Sequence, residues 1–353
     1  MKDKLLKIVK SGVLAPSADN QHIFRVELME SAIRLWPSDE FAATTTPLRL
    51  KLGLVSIGAV IENMRLQALA LGLDCNTVWL YENRQVSPFA ELKLQTAHQF
   101  VVDELAEAIP QRHTNRRMYR NSKLETDQVG KLNVAASSVE GVQLTWLQGA
   151  ERSKALQLIW KAESERFLRR ALHEDLFSSI RFDLPWNETA DKFLPPGALS
   201  IEAPMRPMFK ALRNWTLMHT LTKFGLHHVV GLRAGLIPCW QAPALGLIST
   251  TLDAEQGAVA AGSVLERVWL QATKLGIAMQ PLAASCMLSL PQPFQEGASD
   301  DLRSTLISGW EDISPGKLPI MVFRAGHASE PTVRTTREPI ERYFIDAQNR
   351  TIN

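Results

Sequence analysis

The side chains most able to do chemistry in this sequence are arginines. Four arginines and one histidine lie within nine residues, at Arg112-His-Thr-Asn-Arg-Arg-Met-Tyr-Arg120. The planar guanidinium binds phosphate through paired hydrogen bonds, so the cluster predicts a phosphate site. A solvated basic face and a nucleic-acid patch are the alternatives. No second basic cluster with interleaved aromatic residues accompanies it, which argues against nucleic acid.

Two other polar segments add hydrogen-bonding groups. At residues 15–20, Ala-Pro-Ser-Ala-Asp-Asn, the turn follows a helix predicted to end near Leu14 and precedes a strand expected from Phe24. Its hydroxyl and amide groups suit a heterocycle or a phosphate, and a ligand-free Asx or Ser turn is the alternative. Near the C-terminus, Arg334 and Arg337 follow another predicted strand, where an exposed basic tail is the alternative.

The rest of the sequence lacks the common catalytic motifs. It contains no GxGxxG, GxxxxGK[ST], HExxH or GxSxG, and its eight histidines form no metal-ligand spacing with cysteine or aspartate. No pair of nucleophile and base is evident. If the protein is an enzyme, its chemistry therefore belongs to a cofactor.

Composition and charge are those of an ordinary globular protein. The 353 residues are 45% hydrophobic and 22% charged, and the formal net charge of +2 gives no reason to expect nucleic acid or a membrane surface as a partner. Three scattered cysteines suit a reducing compartment, and the N-terminus lacks the apolar core of a signal peptide. Prolines and polar residues interrupt the most apolar stretch, 229–251, which we interpret as buried helix and loop. We expect a cytoplasmic protein.

An internal repeat organises the chain. Residues 53–72 and 257–276 align without a gap, and about half of the aligned positions are identical. Apolar residues at helical spacing predict two matched helices, each followed by a glycine suited to a left-handed conformation. Strands are expected after each helix, at 77–81, 89–94, 287–290 and 318–324. Two similar helices that arose by convergence are the alternative, which the shared glycine and glutamate positions disfavour.

The repeat predicts a fused dimer made of two unequal α+β units. We place a reduced first copy at residues 1–110 and a second copy at residues 111–353. The second copy contains a long insertion, at about 160–243, that is rich in Trp, Phe, Arg and Pro. Because the insertion is too apolar for a free loop, we predict that it packs as a lid over the site.

The three polar segments and the repeated helix together resemble the nitroreductase superfamily of flavoproteins. Arg112-His-Thr-Asn-Arg116 matches the family's R-x-S/T-x-R start, residues 15–20 match its APSxxN turn, and Arg337-Glu-Pro matches its late Arg-x-Pro loop. His22-Ile-Phe replaces the Gln-Pro-Trp that usually follows the turn. The resemblance covers most of the chain, is weakest at 160–236, and is closest to the duplicated Acg-type FMN-binding subgroup found in mycobacteria.

The resemblance implies one FMN site shared between the two copies. The second copy would hold the phosphate with its arginines, and the first copy would supply the turn. Backbone N–H groups near the flavin N5 would come from 281–284, where Ala283-Ala284 departs from the family's frequent Glu-Gly. The mirror-image site lacks its arginines at 1–10 and its turn at 135–140, so one FMN per chain is expected. The implied cofactor-binding residues are Ser17, Asn20, Arg112, His113, Thr114, Arg116, Pro281, Leu282, Ala283, Arg334 and Arg337.

The implied function is that of an FMN-dependent oxidoreductase. NAD(P)H would be the electron donor, and a nitroaromatic, a quinone or a similar small molecule would accept two electrons. A non-catalytic FMN-binding or flavin-storage protein with a closed site is the alternative, and a structural protein that has lost its flavin is a third possibility. We expect a nitroreductase-like α+β fold in which one chain mimics the family homodimer. We also expect a monomer without metal, nucleic acid or membrane partners.

Overall fold

The protein combines helices with two antiparallel sheets. The structure is a computed structural model, and it describes residues 1–44, 46–83, 85–97, 103–290 and 297–345. Each sheet has four strands, and long helices pack against the sheets. The expected α+β class is therefore confirmed.

The first sheet and its helices lie within residues 1–97. The strands follow the order β1-β2-β4-β3 across the sheet, and every neighbouring pair is antiparallel. The elements are α1 (Lys2–Val13), β1 (Phe24–Leu28), β2 (Ala32–Pro37), α2 (Asp39–Ala42), α3 (Pro47–Ala70), β3 (Leu73–Trp79) and β4 (Ala90–Thr96).

The second sheet repeats this strand order with a much longer connection inside it. Its order is β5-β6-β8-β7, again with antiparallel neighbours. The elements are α4 (Thr126–Ala136), β5 (Val142–Trp146), α5 (Gly149–Leu168), α6 (Arg170–Ser178), α7 (Arg206–Ala211), α8 (Trp215–Thr222), α9 (Leu226–Gly231), α10 (Ile237–Gln241), β6 (Ala244–Thr250), α11 (Ala254–Lys274), β7 (Ala278–Leu282), α12 (Ala284–Met287), α13 (Asp300–Ile313) and β8 (Leu318–Gly326).

The two helices of the sequence repeat, α3 and α11, pack directly on each other. A Cβ added to Gly58 would lie 1.9 Å from the carbonyl oxygen of Val259, and one added to Gly262 would lie 2.0 Å from that of Val55. The repeat pairs Gly58 with Gly262 and Val55 with Val259, so this contact is reciprocal. Glycine is required at both positions because the two backbones touch there.

Local chemistry accounts for the start of α11 and for the ends of both long helices. The Asp253 carboxylate accepts hydrogen bonds from two backbone N–H groups in the first turn of α11, which satisfies donors that have no helical partner. The glycines after the helices, Gly72 and Gly276, adopt φ angles of 72° and 67°. The prediction of left-handed glycines at these two positions is confirmed.

One hydrophobic core joins the two halves. Residues of α3 and α11 such as Ile57 and Val268 are fully buried in the same cluster as Leu92 of β4 and Phe323 of β8. A second cluster lies between α5, α13 and the outer side of the second sheet. The halves therefore share an interior, which fixes the segments carried by one half against those of the other.

Two strand predictions need correction, and two others hold. The strand expected at 287–290 is wrong, because the chain forms β7 earlier and then the short helix α12. A short apolar run does not by itself distinguish a strand from a buried helical turn. The strand expected at 77–81 lies earlier, as β3. The strands expected at 89–94 and 318–324 correspond to β4 and β8.

The long connection between β5 and β6 covers residues 147–243. It begins with α5, so the helical part of this connection starts before residue 160. The apolar stretch at 229–251 forms helix followed by β6, which replaces the expected loop with a strand. Among the described residues, no helix combines the length and apolar character needed to cross a bilayer.

Candidate cofactor site

The turn after α1 has an unusual backbone. Asp19 and Asn20 have φ angles of 52° and 57°, the left-handed region that asparagine and aspartate tolerate better than most residues. Consecutive residues in this region are strained, and such strain clusters at functional sites. The Ser17 hydroxyl is buried and has no hydrogen-bond partner among the described residues. The turn therefore presents one polar group that the protein itself does not satisfy.

Asn20 joins this turn to distant parts of the chain. Its side-chain amide nitrogen lies 3.1 Å from the carbonyl oxygen of Asp191 and 3.3 Å from that of Thr336. Its carbonyl oxygen accepts a hydrogen bond from Arg337 at 2.7 Å. The side chain is 4% exposed. Asn20 thus holds together the turn, the β5–β6 connection and the segment after β8.

Arg337 lies against the C-terminal end of α1. Its guanidinium donates to the carbonyl oxygens of Val13 and Ala15, both at 2.9 Å, in addition to Asn20. These carbonyls carry the negative end of the helix dipole. Burial and the nearby Arg112 lower the pKa of Arg337 to about 10. No carboxylate lies within ion-pair distance of Arg337 in the part of the chain that the structure describes.

Arg112 is buried beside Arg337. It donates to the Leu14 carbonyl oxygen at 2.9 Å, an acceptor that Arg337 also contacts at 3.3 Å. Its Nε lies 3.2 Å from Glu266, and its guanidinium lies 4.6 Å from the centre of the Trp269 ring. Burial raises the pKa of the Glu266 carboxyl to about 7, against the lowering effect of Arg112. Two buried arginines therefore share one carboxyl group among the described residues, and burial disfavours the ionised form of that group.

Arg116 approaches the same turn from the arginine segment. Its hydrogen bond to the Ala198 carbonyl oxygen is long, at 3.4 Å, and no other is found for it among the described residues. Burial lowers its pKa, while the Asp19 carboxylate opposes this shift. The Arg116 guanidinium thus retains donors that a ligand can use, in contrast to the more fully bonded Arg337.

The arginine segment runs beside β7. The backbone N–H of Asn115 donates to the Met279 carbonyl oxygen at 3.0 Å. The buried Arg324, on β8, contacts both β7 and the arginine segment. Arg324 bonds Gln280 at 2.7 Å and the Arg117 carbonyl oxygen at 2.9 Å. Pro281 and Leu282 are the last two residues of β7, and Ala283 follows as the N-cap of α12. The structure therefore brings the arginine segment close to the stretch expected beside the flavin ring.

His113 and Arg334 lie apart from this buried group. Both contact Glu330, with His113 Nε2 at 3.0 Å from the carboxylate, and Arg334 is exposed. Burial lowers the pKa of His113, with the Glu330 carboxylate acting against that shift. Thr114 is half-buried between His113 and Asn115. Of the arginines assigned from the sequence, Arg112, Arg116 and Arg337 are thus brought to the turn and Arg334 is not.

A cavity of about 110 Å³ opens beside the same turn. Asp19 lies in its wall, and burial raises the pKa of that carboxyl, with Arg166 and Arg49 acting in the opposite direction. Two ion pairs close the side formed by the β5–β6 connection: Arg49 with Asp175, whose nearest atoms are 2.5 Å apart, and Lys192 with Glu40, at 3.0 Å. Further lining residues are His22, Phe41, Leu52, Gly53, Ser56 and Phe193.

Several contributors to the site were not assigned from the sequence. Asp19 lies inside the recognised turn and Asn115 inside the arginine segment, yet neither stands out by residue type. Glu266 is one of the glutamates shared by the two repeats, and only the fold reveals that it faces Arg112. Arg324 lies on a strand, where its burial depends on contacts with β7 and with the arginine segment.

Comparison with known proteins gives a distant relative and several remote structural likenesses. No family model matches the chain. An uncharacterized protein of Mycobacterium tuberculosis, MT1398, is 22% identical over 346 residues, covering 94% of this chain and 46% of the relative. The chain therefore spans about half the length of the curated relative it matches.

The solved structures similar to this chain include named flavin enzymes. The FMN-dependent nitroreductase NfnB from Mycobacterium smegmatis, in complex with NADPH, is 16% identical, with a TM-score of 0.38 over 69% of this chain and 99% of its own. The NADPH:FMN oxidoreductase from Vibrio harveyi, complexed with NAD+, is 10% identical, with a TM-score of 0.37 over 71% and 80%. Nitroreductase A from Vibrio parahaemolyticus is 9% identical, with a TM-score of 0.38 over 72% and 79%. At these TM-scores, the likenesses do not define the function of this chain.

Proposed function

We propose that this chain binds one FMN between two fused nitroreductase-like units and acts as an NAD(P)H-dependent oxidoreductase. The observation that carries the proposal is a pair of buried guanidinium groups beside a single carboxyl group. Arg112 and Arg337 share an acceptor at the end of α1, and the one carboxyl group beside them, Glu266, has a pKa raised to about 7. Buried charge is costly unless it is paired, so the arrangement favours a bound anion.

A phosphate monoester fits this group of residues. Arg116 retains hydrogen-bond donors, and the buried Ser17 hydroxyl has no partner, so both are available to phosphate oxygens. Arg337 is largely bonded to α1 carbonyls and would contribute mainly through its charge. Bound FMN would supply hydride acceptance and donation. This chain would bind the phosphate, place the ring beside Pro281–Ala283 and exclude water with the β5–β6 connection.

The duplication supports a single site for each chain. The two halves have the same strand order. The glycine contact between α3 and α11 is reciprocal, as expected for the interface of a symmetric dimer whose two subunits became fused in one chain. The arginines of the proposed site come from the second half, and Ser17 and Asn20 come from the first. We propose that the chain is an Acg-type pseudo-dimer and works as a monomer in the cytoplasm, where its three free cysteines remain reduced.

A flavin-binding protein without turnover is the second candidate. It is favoured by the ion pairs that close the cavity beside Asp19, because a closed connection would keep electron acceptors away from the ring. The acceptor of the first candidate, a nitroaromatic, quinone or similar molecule, would have to enter past these pairs.

Purified protein incubated with FMN and then desalted tests the proposal. A yellow protein that bleaches with NAD(P)H under argon, and regains colour when a quinone is added, is the expected result. A yellow protein that NAD(P)H does not bleach would favour the flavin-binding alternative. A protein that stays colourless after incubation with FMN would overturn both candidates and leave a structural role.

A further inference from the structure

The small net charge of the chain conceals a strongly basic segment. Residues 203–243 contain five lysines and arginines and no aspartate or glutamate. The whole chain has 39 basic and 37 acidic residues, so the remainder has 34 basic and 37 acidic. We refer to residues 203–243 as the basic segment. Its basic residues are Arg206, Lys210, Arg213, Lys223 and Arg233.

Large apolar side chains of the basic segment face solvent. Phe224 is 84% exposed, Trp240 is 67% exposed and Val229 is 59% exposed. Single exposed apolar residues are normal. Here seven of the twelve exposed large apolar side chains among the described residues lie in the basic segment, and such concentrations occur at interaction surfaces. The segment also carries exposed Met205, Met208, Leu217 and Ile237.

Packing of the helices explains why these side chains point outward. The inward side of α9, α10 and the π-helical turn between them is formed by Gly231, Gly235 and Cys239, which are buried. A Cβ on Gly231 would meet Ser164 of α5, so the helix approaches α5 closely on that side. Val229 and Trp240 remain on the outward side, and Phe224 stands at the turn that joins α8 to α9.

The exposed apolar residues are accompanied by available cations. Lys210 and Lys223 are exposed, and neither forms an ion pair with another described residue. Arg233, by contrast, pairs with Glu202, and Arg206 stacks over the Trp186 ring at 4.8 Å. Lys223 directly precedes Phe224, which places a free positive charge beside the most exposed aromatic ring.

We propose that the basic segment is a docking surface for an anionic phospholipid bilayer. Short helices with exposed Trp, Phe and Leu residues and basic neighbours bind in the interfacial region of membranes, where the rings reach the acyl boundary and the lysines contact phosphate groups. Such binding needs no spanning helix, so it agrees with the lack of one among the described residues. It replaces the expectation of no membrane partner, which rested on the small net charge and on the interrupted apolar stretch 229–251.

Charge also distinguishes the bilayer from a second copy of the chain. A symmetric dimer through this surface would bring two basic segments together, and like charges facing each other weaken such an interface. An anionic bilayer instead offers phosphate groups to every exposed lysine. The proposal does not depend on flavin binding.

Co-sedimentation with phospholipid vesicles tests the proposal on the full-length protein. Binding is expected to vesicles that contain phosphatidylglycerol, to be much weaker with phosphatidylcholine alone, and to fall as salt is added. The double variant K210Q/K223Q should weaken binding about fivefold for each charge removed. The double variant F224S/W240S should weaken it by about tenfold or more, because each ring loses its place in the acyl boundary.

Helix α4 offers matched controls away from the basic segment. Val134 is 74% exposed, and Lys131 lies on the same helix with its side chain 52% exposed. V134S and K131Q should bind vesicles as the unaltered protein does. Equal binding to neutral and anionic vesicles, or equal losses in the control variants, would overturn the proposal. A dimer in solution that F224S/W240S dissociates, with no vesicle binding, would assign the surface to a second copy.

Discussion

Arg116 is the arginine of the candidate site whose hydrogen-bonding capacity is least used: its one bond among the described residues is 3.4 Å long. Each charge-assisted bond to the FMN phosphate should be worth about 1.5–3 kcal/mol, so Arg116→Ala should weaken FMN binding about tenfold to a hundredfold. Arg337→Ala should also yield paler protein, because it removes buried charge beside the phosphate. The dissociation constant can be measured by flavin fluorescence with added apoprotein.

Lysines of α1 provide the control for this measurement. Lys4 donates to the Leu71 carbonyl oxygen at an exposed position, in the segment 1–10 that belongs to the mirror-image site expected to be inactive. Lys4→Ala and Lys7→Ala should leave flavin content unchanged. Full flavin retention in the R116A/R337A double variant would show that the site has been assembled from the wrong halves of the chain.

Glu266 should make stability depend on pH. Burial raises its pKa from 4.5 to about 7, so the native state holds the proton more tightly than the unfolded chain. The resulting stabilisation is fully present below about pH 4.5 and is lost as pH rises through 7. It amounts to about 3 kcal/mol at most. Denaturant unfolding of the flavin-free protein should show that Glu266→Gln loses less stability than the unaltered protein between pH 5 and pH 8.

A variant of the equivalent glutamate in the first repeat is the control that separates this pH effect from a general loss of stability. Glu62 pairs with Arg267 at 2.8 Å and occupies the position equivalent to Glu266. Glu62→Gln should lower stability but retain most of the pH step that Glu266 produces, because burial is the main cause of the raised pKa and the Glu62 charge only adds to it. An unchanged slope in Glu266→Gln would contradict the assignment.

At the scale of elements, the contact between α3 and α11 is the most demanding feature of the fold. Gly262→Ala would place a methyl group 2.0 Å from the Val55 carbonyl oxygen, which cannot move without shifting α3. We expect a loss of about 3 kcal/mol in the free energy of unfolding, at the upper end for overpacked sites. Denaturant titration measures the loss.

Gly130 is a suitable control for this substitution. It lies inside α4, and a Cβ there would meet no atom within 4 Å. Gly130→Ala should therefore stabilise the protein by about 0.5–1 kcal/mol, because alanine has the higher helix propensity. Similar small effects at both glycines would show that the two helices do not touch as described.

The β5–β6 connection should limit access to the site. Breaking both of its ion pairs, with Asp175→Ala and Lys192→Ala, removes contacts that hold it against α3 and α2. Partly exposed pairs are worth at most about 1 kcal/mol each, so the fold should survive while the connection opens more often. Turnover with bulky acceptors should rise relative to small ones. Equal rates for acceptors of all sizes before and after the change would contradict a lid role.

For the whole molecule, we expect one chain to carry one flavin, bound at a single site between its two halves. Light scattering in the absence of lipid should give the mass of a single chain, 39.4 kDa, because α3 and α11 already satisfy each other. Flavin released by heat should approach one FMN per chain. A ratio near two would mean that the first half retains a working phosphate site despite its missing arginines.

Features that depend on local pattern could be predicted from the order of residues. Helical periodicity located α3 and α11, glycine chemistry located their ends, and residue types within 15–20 marked a turn that the structure contains. These features depend on residues near one another in the chain, so spacing is enough to predict them. The nitroreductase-like assignment, the lid role of the β5–β6 connection and the binding of flavin remain predictions.

Which of these residues lie together could not be predicted, because it depends on how distant segments pack. Arg337 and Arg112 meet at the end of α1, whereas Arg334 lies at the surface with Glu330, although residue type does not separate them. The short run at 287–290 forms the last residue of α12 and the turn after it, because the segment that pairs with β8 is β7, at Ala278–Leu282. Burial raises the pKa of the Glu266 carboxyl. The exposure of apolar side chains such as Phe224 and Trp240 is what makes the basic segment a candidate docking surface. Both depend on atoms distant in sequence, which neither composition nor periodicity records.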